Sequence, residues 1–249
     1  MPRFFVTGDN ISETEIRITG SDASHIMRSL RMKTGEAVTV CDMHCIEYEC
    51  VIEDFESDCV VLKINSSCPG NTEPPYSLTL YQALPKSDKM EFIIQKAVET
   101  GAGRIVPFIS ERCISRPDKK SARSKSERWN KISLEAAKQC GRGIVPVVEE
   151  ICSFDEALNE AKLADVPILF YEGDNTKPLR ELLGPICPDP DKEKIKISVI
   201  IGSEGGFSCN EVERAAKSGI SVAGLGPRIL RCETAPVVAL GAISYALEM

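Results

Sequence analysis

Hydrophobic and polar positions follow two different patterns along the chain. Before residue 69, short segments such as TEIRITG, EAVTVCD, CIEYECVIEDF and CVVLKIN alternate apolar and polar residues. That alternation is typical of half-buried strands. After residue 76, mostly apolar runs are separated by longer amphipathic segments, which is typical of parallel strands connected by helices. We predict strands in SLTLYQAL, RIVPFIS, IVPVVEE, PILFYEG, KISVIIG and SVAGL, and helices that begin near Asp88, Ser124, Ser153, Lys177, Ser208 and Thr234.

The segment PGNTEPPY separates these two patterns. It contains three prolines and a glycine, so it is a poor candidate for a helix or a strand and a natural linker. We therefore expect a small β-barrel-like domain over residues 1–72. An α/β domain with a largely parallel sheet is expected over residues 73–249.

Composition indicates a globular protein. The chain has 249 residues, of which 43% are hydrophobic, enough for one large core or two smaller ones. No apolar run approaches the roughly 18 residues of a membrane span, and the first segment, MPRFFVTGDN, lacks the hydrophobic stretch of a signal peptide. We expect a cytoplasmic protein. Eleven cysteines at irregular spacing then indicate reduced thiols, most of them buried.

Four potential metal ligands occur close together, at Cys41, His44, Cys45 and Cys50. They could hold zinc or an iron–sulfur cluster, but the spacing contains no C-x-x-C pair. The flanking segments AVTVCD and CIEYECVIEDF are rich in strand-forming residues, and DMHC supplies a turn between them. We favour a β-hairpin and predict no metal. A metal or redox protein built on the cysteines is the alternative.

Two glycine-containing turns in the last quarter of the chain indicate a ligand site. They are IGSEGGFS at residues 201–208 and LGPRILRCETAP at residues 225–236. Each follows a predicted strand and begins a helix, where glycine permits close backbone approach and free N–H groups can hold a polar group. Ser208 and Glu211 have the spacing of a capping box. No G-x-G-x-x-G follows a strand and no P-loop is present, so dinucleotides and nucleoside triphosphates lack their fingerprints.

These two turns resemble the cofactor loops of the SPOUT class of S-adenosylmethionine-dependent RNA methyltransferases. Within that class the chain is similar to the bacterial 16S ribosomal RNA uridine-N3 methyltransferase family, small-subunit methyltransferase E. The likeness extends to MPRFFV, HIMRSLRMKTGEAVTV, FIIQKAVETGAGRIVPFISERC and RWNKISLEAAKQCGR, and so covers nearly the whole chain. It implies a trefoil knot, a PUA-like RNA-binding domain and a homodimer. One departure is Ser203, where the family usually has proline.

The resemblance also implies where the cofactor binds. Members of the class hold S-adenosylmethionine in a bent form among three loops, which correspond here to LFYEG, IGSEGG and LGPRIL. The cofactor residues implied are Leu169, Glu172, Gly202, Leu225, Gly226, Ile229, Leu230 and Thr234.

Methylation of uracil N3 sets a chemical requirement, because this nitrogen is a weak nucleophile until it loses its proton. A general base, or a cation that stabilises the anion, is expected. We assign Arg231 to polarising the uracil carbonyls and either Glu233 or Glu204 to the role of base or orienting group. A carboxylate at a helix N-terminus is also stabilising without any catalytic duty.

Overall charge argues against an RNA substrate, because 30 basic and 37 acidic residues give a net charge of -7. Residues 112–142, however, contain ten basic and three acidic residues. This strip fits phosphate binding, and it fits equally well a solvated helix face with a flexible loop, RPDKKSARSKSER. Residues 25–30 could also be a short amphipathic helix without an RNA contact. The RNA contacts that the resemblance implies are Arg3, His25, Arg28, Arg31, Lys33, Arg112, Gln139 and Arg142.

The function that the resemblance implies is methylation of N3 of a specific uridine in 16S ribosomal RNA, with the small ribosomal subunit as partner. Two alternatives stay open. The target could be another RNA, such as transfer RNA. The chain could also be a non-catalytic RNA-binding factor in ribosome assembly.

Overall fold

A computed structural model describes residues 1–174, 176–189 and 192–249. The chain forms two compact units. The first contains Met1–Glu73 together with Ala137–Val145, and the second contains Pro74–Ala136 together with Pro146–Met249.

The first unit is built on a five-stranded sheet. Its strands are β1 (Arg3–Phe5), β2 (Glu15–Thr19), β3 (Ala37–Cys41), β4 (Ile46–Phe55) and β5 (Cys59–Pro69). The spatial order is β1-β3-β4-β5-β2, and every pair is antiparallel except β1 with β3. Helix α1 (Gly20–Ser24) continues into a π-helix at His25–Leu30. Inward-facing residues of the strands and of these helices, Ile16, Ile26, Val38 and Leu62 among them, form the core.

The predicted hairpin is confirmed. Strands β3 and β4 pair antiparallel, with Val38 opposite Cys50 and Cys41 opposite Glu47. Both thiols are buried, and burial raises the pKa of Cys50 to about 11. In the described part of the chain, no cluster of histidine, cysteine or acidic side chains is arranged to hold a metal ion.

The second unit contains a parallel sheet, as the sequence predicted. The described strands pair in the order β11-β13-β10-β12-β6-β7-β8, and β9 also pairs with β7. All of these pairs are parallel. The bounds are β6 (Tyr76–Ala83), β7 (Arg104–Ile109), β8 (Val147–Val148), β9 (Cys152–Ser153), β10 (Val166–Phe170), β11 (Lys177–Pro178), β12 (Ile195–Ile201) and β13 (Ser221–Gly224).

Helices connect the strands of this unit. They are α2 (Lys89–Glu99), α3 (Lys119–Cys140), α4 (Phe154–Ala161), α5 (Leu179–Leu183), α6 (Cys209–Lys217) and α7 (Thr234–Leu247). The capping box at Ser208 and Glu211 is confirmed, since the Ser208 hydroxyl accepts from the Glu211 N–H and the Glu211 carboxylate accepts from the Ser208 N–H.

Two predictions about these helices are wrong. Lys177 begins the short strand β11, and the helix starts at Leu179. Helix α3 begins at Lys119, five residues before the predicted start, because the Asp118 carboxylate accepts a hydrogen bond from the Ser121 N–H at 2.8 Å. Most of the segment RPDKKSARSKSER is therefore helical, and the flexible-loop alternative does not hold.

Membrane insertion by a helix finds no support in the described ranges. No helix there is both long enough and apolar enough to cross a bilayer.

Candidate active site

Three loops of the second unit leave the same edge of the parallel sheet. Strand β10 lies between β12 and β13, and all three run parallel. Their carboxyl ends therefore meet at one edge, the usual place for a ligand in such sheets. We call residues 171–173 loop A, residues 202–207 loop B and residues 225–233 loop C.

The three loops surround a cavity of about 490 Å³. Eight of the residues predicted for the cofactor and for catalysis line it, namely Glu172, Gly202, Glu204, Leu225, Gly226, Ile229, Leu230 and Arg231. Two other predicted cofactor residues are not among its lining residues. Leu169 is fully buried within β10, and Thr234 is the first residue of α7.

Loop B owes its shape to glycine and to an aromatic anchor. Gly206 has a φ of +62°, and a Cβ atom there would lie 2.6 Å from the Glu172 Oε1 atom of loop A. Any other residue would be strained at this φ and would displace the Glu172 carboxylate. At the end of the loop, the ring of Phe207 lies 6.4 Å from that of Phe108 and 6.0 Å from that of Phe154. This packing fixes loop B on the sheet.

Two residues that support loop B were not assigned this role from the sequence. Arg112 donates a hydrogen bond to the Gly205 carbonyl at 3.0 Å, although it was predicted to contact RNA. Gln82, fully buried at the end of β6, donates from Nε2 to the Gly202 carbonyl at 3.1 Å. Its Oε1 atom and the Ser203 hydroxyl are buried without a hydrogen-bond partner among the described residues.

Lys89 joins loop B to loop C. Its ammonium nitrogen lies 3.1 Å from Glu204 Oε1 and 3.0 Å from Glu233 Oε2. The Lys86 N–H also donates to the Glu204 carboxylate, at 3.1 Å. Sequence analysis missed Lys89. A signal was available, because Lys89 begins a helix that follows a buried parallel strand, as the residues of the other site loops do.

This arrangement sets the protonation states of the charged groups. Burial alone would raise the pKa of Glu204 and of Glu233, but backbone N–H groups and Lys89 outweigh it, so both pKa values are lowered. Both carboxylates are ionised at neutral pH and are weaker bases than ordinary glutamates. The buried Cys232 thiol donates to Glu233 at 3.2 Å, and burial with this bond raises the pKa of Cys232 to about 12.

The predicted RNA contacts of the first unit fall into two groups. The exposed group consists of His25 and Arg28 in the π-helix, Arg31 and Lys33 just after it, and Gln139 on α3. Arg142 is only 4% exposed, and its Nε atom donates to the Glu73 carboxylate at 3.1 Å. The Arg142 guanidinium is thus enclosed by its own unit, and its contact with RNA stays a prediction.

Arg3 is also committed within the first unit. Its guanidinium pairs with Glu47 at 2.9 Å and donates to the Arg142 carbonyl at 3.0 Å. Only 14% of the Arg3 side chain is exposed, which leaves little surface for RNA.

Comparison with known families defines the class of protein. A model described as an RNA methyltransferase domain matches residues 72–244, and a model described as an RNA methyltransferase PUA domain matches residues 18–64. The parallel sheet with its cavity lies within the first region, and β3, β4 and part of β5 of the smaller sheet lie within the second. The chain is therefore a member of the RNA methyltransferases.

Individual relatives narrow this class. The chain is 36% identical to ribosomal RNA small subunit methyltransferase E of Bacillus subtilis, over 100% of this chain and 98% of the relative. It is 31% identical to the same enzyme of Mesomycoplasma hyopneumoniae, over 96% and 97% of the two chains. The crystal structure of the Neisseria gonorrhoeae enzyme bound to S-adenosylmethionine superimposes with a TM-score of 0.84 at 30% identity, covering 99% and 98%. The chain belongs to the ribosomal RNA small subunit methyltransferase E family.

Proposed function

We propose that this protein transfers a methyl group from S-adenosylmethionine to N3 of a uridine in 16S ribosomal RNA. One observation carries the proposal. A cavity of ligand size lies among loops A, B and C, in a chain that resembles a cofactor-bound relative over almost its full length. Since ribosomal RNA is a cytoplasmic substrate, we also place the protein in the cytoplasm.

We assign the cofactor to this cavity. Its fit rests on the glycine positions, because backbone atoms of Gly202 and Gly226 lie open on the lining and no heavy atom stands within 4 Å of a Cβ built on Gly226. Leu225, Ile229 and Leu230 supply apolar walls, and Glu172 offers a carboxylate to a polar group. Leu169 and Thr234 support the loops from the strand and the helix. S-adenosylmethionine supplies the electrophilic methyl carbon.

We assign Arg231 to the target base. Arg231 is among the lining residues of the same cavity, and its guanidinium can offer planar donors to the uracil carbonyl oxygens beside N3. Those donors stabilise the imide anion that remains when N3 gives its proton to solvent. N3 then bonds to the methyl carbon as the sulfonium carbon–sulfur bond breaks. The lowered pKa values of Glu204 and Glu233 favour an orienting role for these carboxylates over the role of general base.

RNA binding is assigned to two exposed basic regions. The first is His25, Arg28, Arg31 and Lys33 in the predicted PUA-like domain, residues 1–72. The second is the exposed face of α3, with Lys119, Lys120 and Arg123, in the predicted methyltransferase domain, residues 73–249. Such side chains supply salt-dependent affinity for phosphates, while the target base is chosen elsewhere.

We further propose that the protein is a homodimer with a knotted C-terminal segment. Helix α7 exposes 40% of Val238 and 75% of Tyr245, and α2, which packs on α7, exposes 45% of Phe92. A second copy of the chain would cover this apolar face. Light scattering should report a dimer for the native chain and a monomer for Tyr245→Lys.

Nucleoside mass spectrometry tests the methyl transfer. Small-subunit RNA from a strain lacking this gene should contain no 3-methyluridine. The wild-type gene should restore the modification, and a gene encoding Arg231→Lys should restore little of it. If the deletion strain lacks a methylated nucleoside in its transfer RNA alone, transfer RNA is the favoured substrate. Unchanged RNA in the deletion strain would indicate a non-catalytic RNA-binding factor.

A further inference from the structure

The ammonium group of Lys89 forms ion pairs with two carboxylates beside the cavity. Lys89 approaches Glu204 of loop B at 3.1 Å and Glu233 of loop C at 3.0 Å. The three side chains are 34%, 28% and 20% exposed, so water screens them only in part. None of the three was expected from the sequence to form an ion pair.

The geometry around Lys89 is constrained from the helix side. Lys89 is the first residue of α2, whose next residue, Met90, is almost fully buried and anchors the helix on the sheet. Shortly before it, Ser87 has a φ of +56°, a left-handed conformation that is rare outside glycine. The ammonium therefore projects from a fixed point toward two loops that leave different strands.

We propose that Lys89 is a positioning residue for methyl transfer, one that holds loops B and C at the separation at which the cavity accepts S-adenosylmethionine. This inference rests on the proposed function. Lys89 is itself among the lining residues of the cavity, but the role that we assign to it passes through Glu204 and Glu233.

Electrostatics gives the reason why the loops need this residue. Both carboxylates keep lowered pKa values and stay charged at neutral pH. Without the ammonium, two like charges would lie near one point with nothing between them, and their repulsion would drive loops B and C apart. The cavity would become wider, the cofactor would lose contacts with one of the two loops, and its affinity would fall.

Calorimetric titration of the full chain with S-adenosylmethionine provides the test. Lys89→Met should weaken binding about tenfold, which corresponds to about 1.4 kcal/mol, whereas Lys89→Arg should stay within a few-fold of wild type because it keeps the charge. Lys96→Met is the matched control. It lies on the same helix and removes an ion pair with Glu99, but it is not among the lining residues of the cavity.

A double-mutant cycle separates positioning from direct contact. In a Glu204→Gln/Glu233→Gln background, Lys89→Met should cause little further loss, because the charges that it holds together are gone. Thermal unfolding without cofactor should move no more for Lys89→Met than for Lys96→Met.

Three results would overturn the inference. The first is wild-type affinity in Lys89→Met, and the second is an equal loss in the glutamine background, which would mean that Lys89 touches the ligand directly. The third is a wild-type chain that binds no S-adenosylmethionine, which would remove the proposed function and the inference together. In the first two cases the proposed function stands.

Discussion

Two charged clusters of this protein use the same chemistry in opposite ways. In the first unit, Glu73 and Arg142 form an ion pair with each other. Their side chains are 9% and 5% exposed, respectively. Glu73 also accepts hydrogen bonds from the Gly143 and Ile144 N–H groups, at 2.9 and 3.1 Å. The negative charge of Glu73 is thus compensated by the Arg142 guanidinium and by two backbone N–H groups.

The Lys89 cluster of the second unit is more open and less evenly balanced. Its side chains are 20% to 34% exposed, and a single cation faces two carboxylates. The comparison teaches that a buried pair saturated with hydrogen bonds supports the fold, while a half-exposed, unevenly balanced cluster at a cavity is available for function. The following predictions test this distinction.

The largest effect should come from breaking the buried pair. Glu73→Gln leaves the Arg142 charge uncompensated in the interior, so the free energy of unfolding should fall by about 3–5 kcal/mol in chemical denaturation. Glu56→Gln, which removes the exposed partner of Arg17, should change stability little. Equal effects of the two substitutions would refute the structural role of the buried pair.

A second variant separates charge from shape at the same place. Glu73→Gln/Arg142→Met removes both charges and keeps an acceptor for the two backbone N–H groups. It should recover much of the stability lost in Glu73→Gln. No recovery would mean that the hydrogen bonds of the guanidinium, and not its stranded charge, determine the cost.

At the cavity, the largest effect is expected in turnover. Arg231→Lys keeps the charge but loses the planar donor geometry, so single-turnover methylation of small-subunit particles should slow by about 10²-fold, or about 2.7 kcal/mol. Cofactor affinity should hardly change. Full turnover in this variant would assign Arg231 to structure, and Glu204 and Glu233 would become the next residues to test.

The stability of the first unit should also depend on pH through Glu73. Burial opposes ionisation of Glu73, but Arg142 and two backbone N–H groups outweigh it and lower the pKa of Glu73 below its usual 4.5. Its contribution is therefore present above about pH 4.5 and is lost as pH falls through the lower folded-state pKa. Denaturation between pH 7 and pH 3 should give a shallower decline for Glu73→Gln/Arg142→Met than for wild type. Parallel curves would contradict this linkage.

The basic face of α3 should produce the smallest energetic change. Replacing Lys119, Lys120, Arg123 and Lys125 by alanine should weaken RNA binding and lower the slope of log Kd against log salt by about 0.7–0.9 for each phosphate that a basic side chain no longer neutralises. Affinity for S-adenosylmethionine should be unaffected. Alanine at Lys162, Lys196 and Lys217 serves as a control of similar charge. An unchanged slope would leave the α3 face as a solubilising surface.

Local signals account for what the sequence predicted well. Alternation identified the first sheet, and apolar runs separated by amphipathic segments identified the second. The capping box at Ser208 and the glycines of loops B and C were visible because their effects act within a few residues. The early start of α3 was also local, since Asp118 is a good helix cap that sequence analysis overlooked.

Contacts between distant segments were beyond such reasoning. Lys89 and Gln82 reach loop B only because β12 pairs with β6 in the sheet, an order that periodicity does not specify. The pair of Arg142 with Glu73 was not predicted either, because the two residues are 69 positions apart in the chain.

Calorimetric titration of S-adenosylmethionine into wild type, Gly226→Ala and Gly226→Trp tests whether loops A, B and C form the cofactor site. Gly226 has a φ of +94°, so both variants carry the same backbone strain, while only tryptophan fills the open space beside it. We expect binding by wild type, binding within a few-fold by Gly226→Ala, and loss of binding by a folded Gly226→Trp. No binding by wild type, or wild-type affinity in a folded Gly226→Trp, would show that the cofactor does not bind at this cavity.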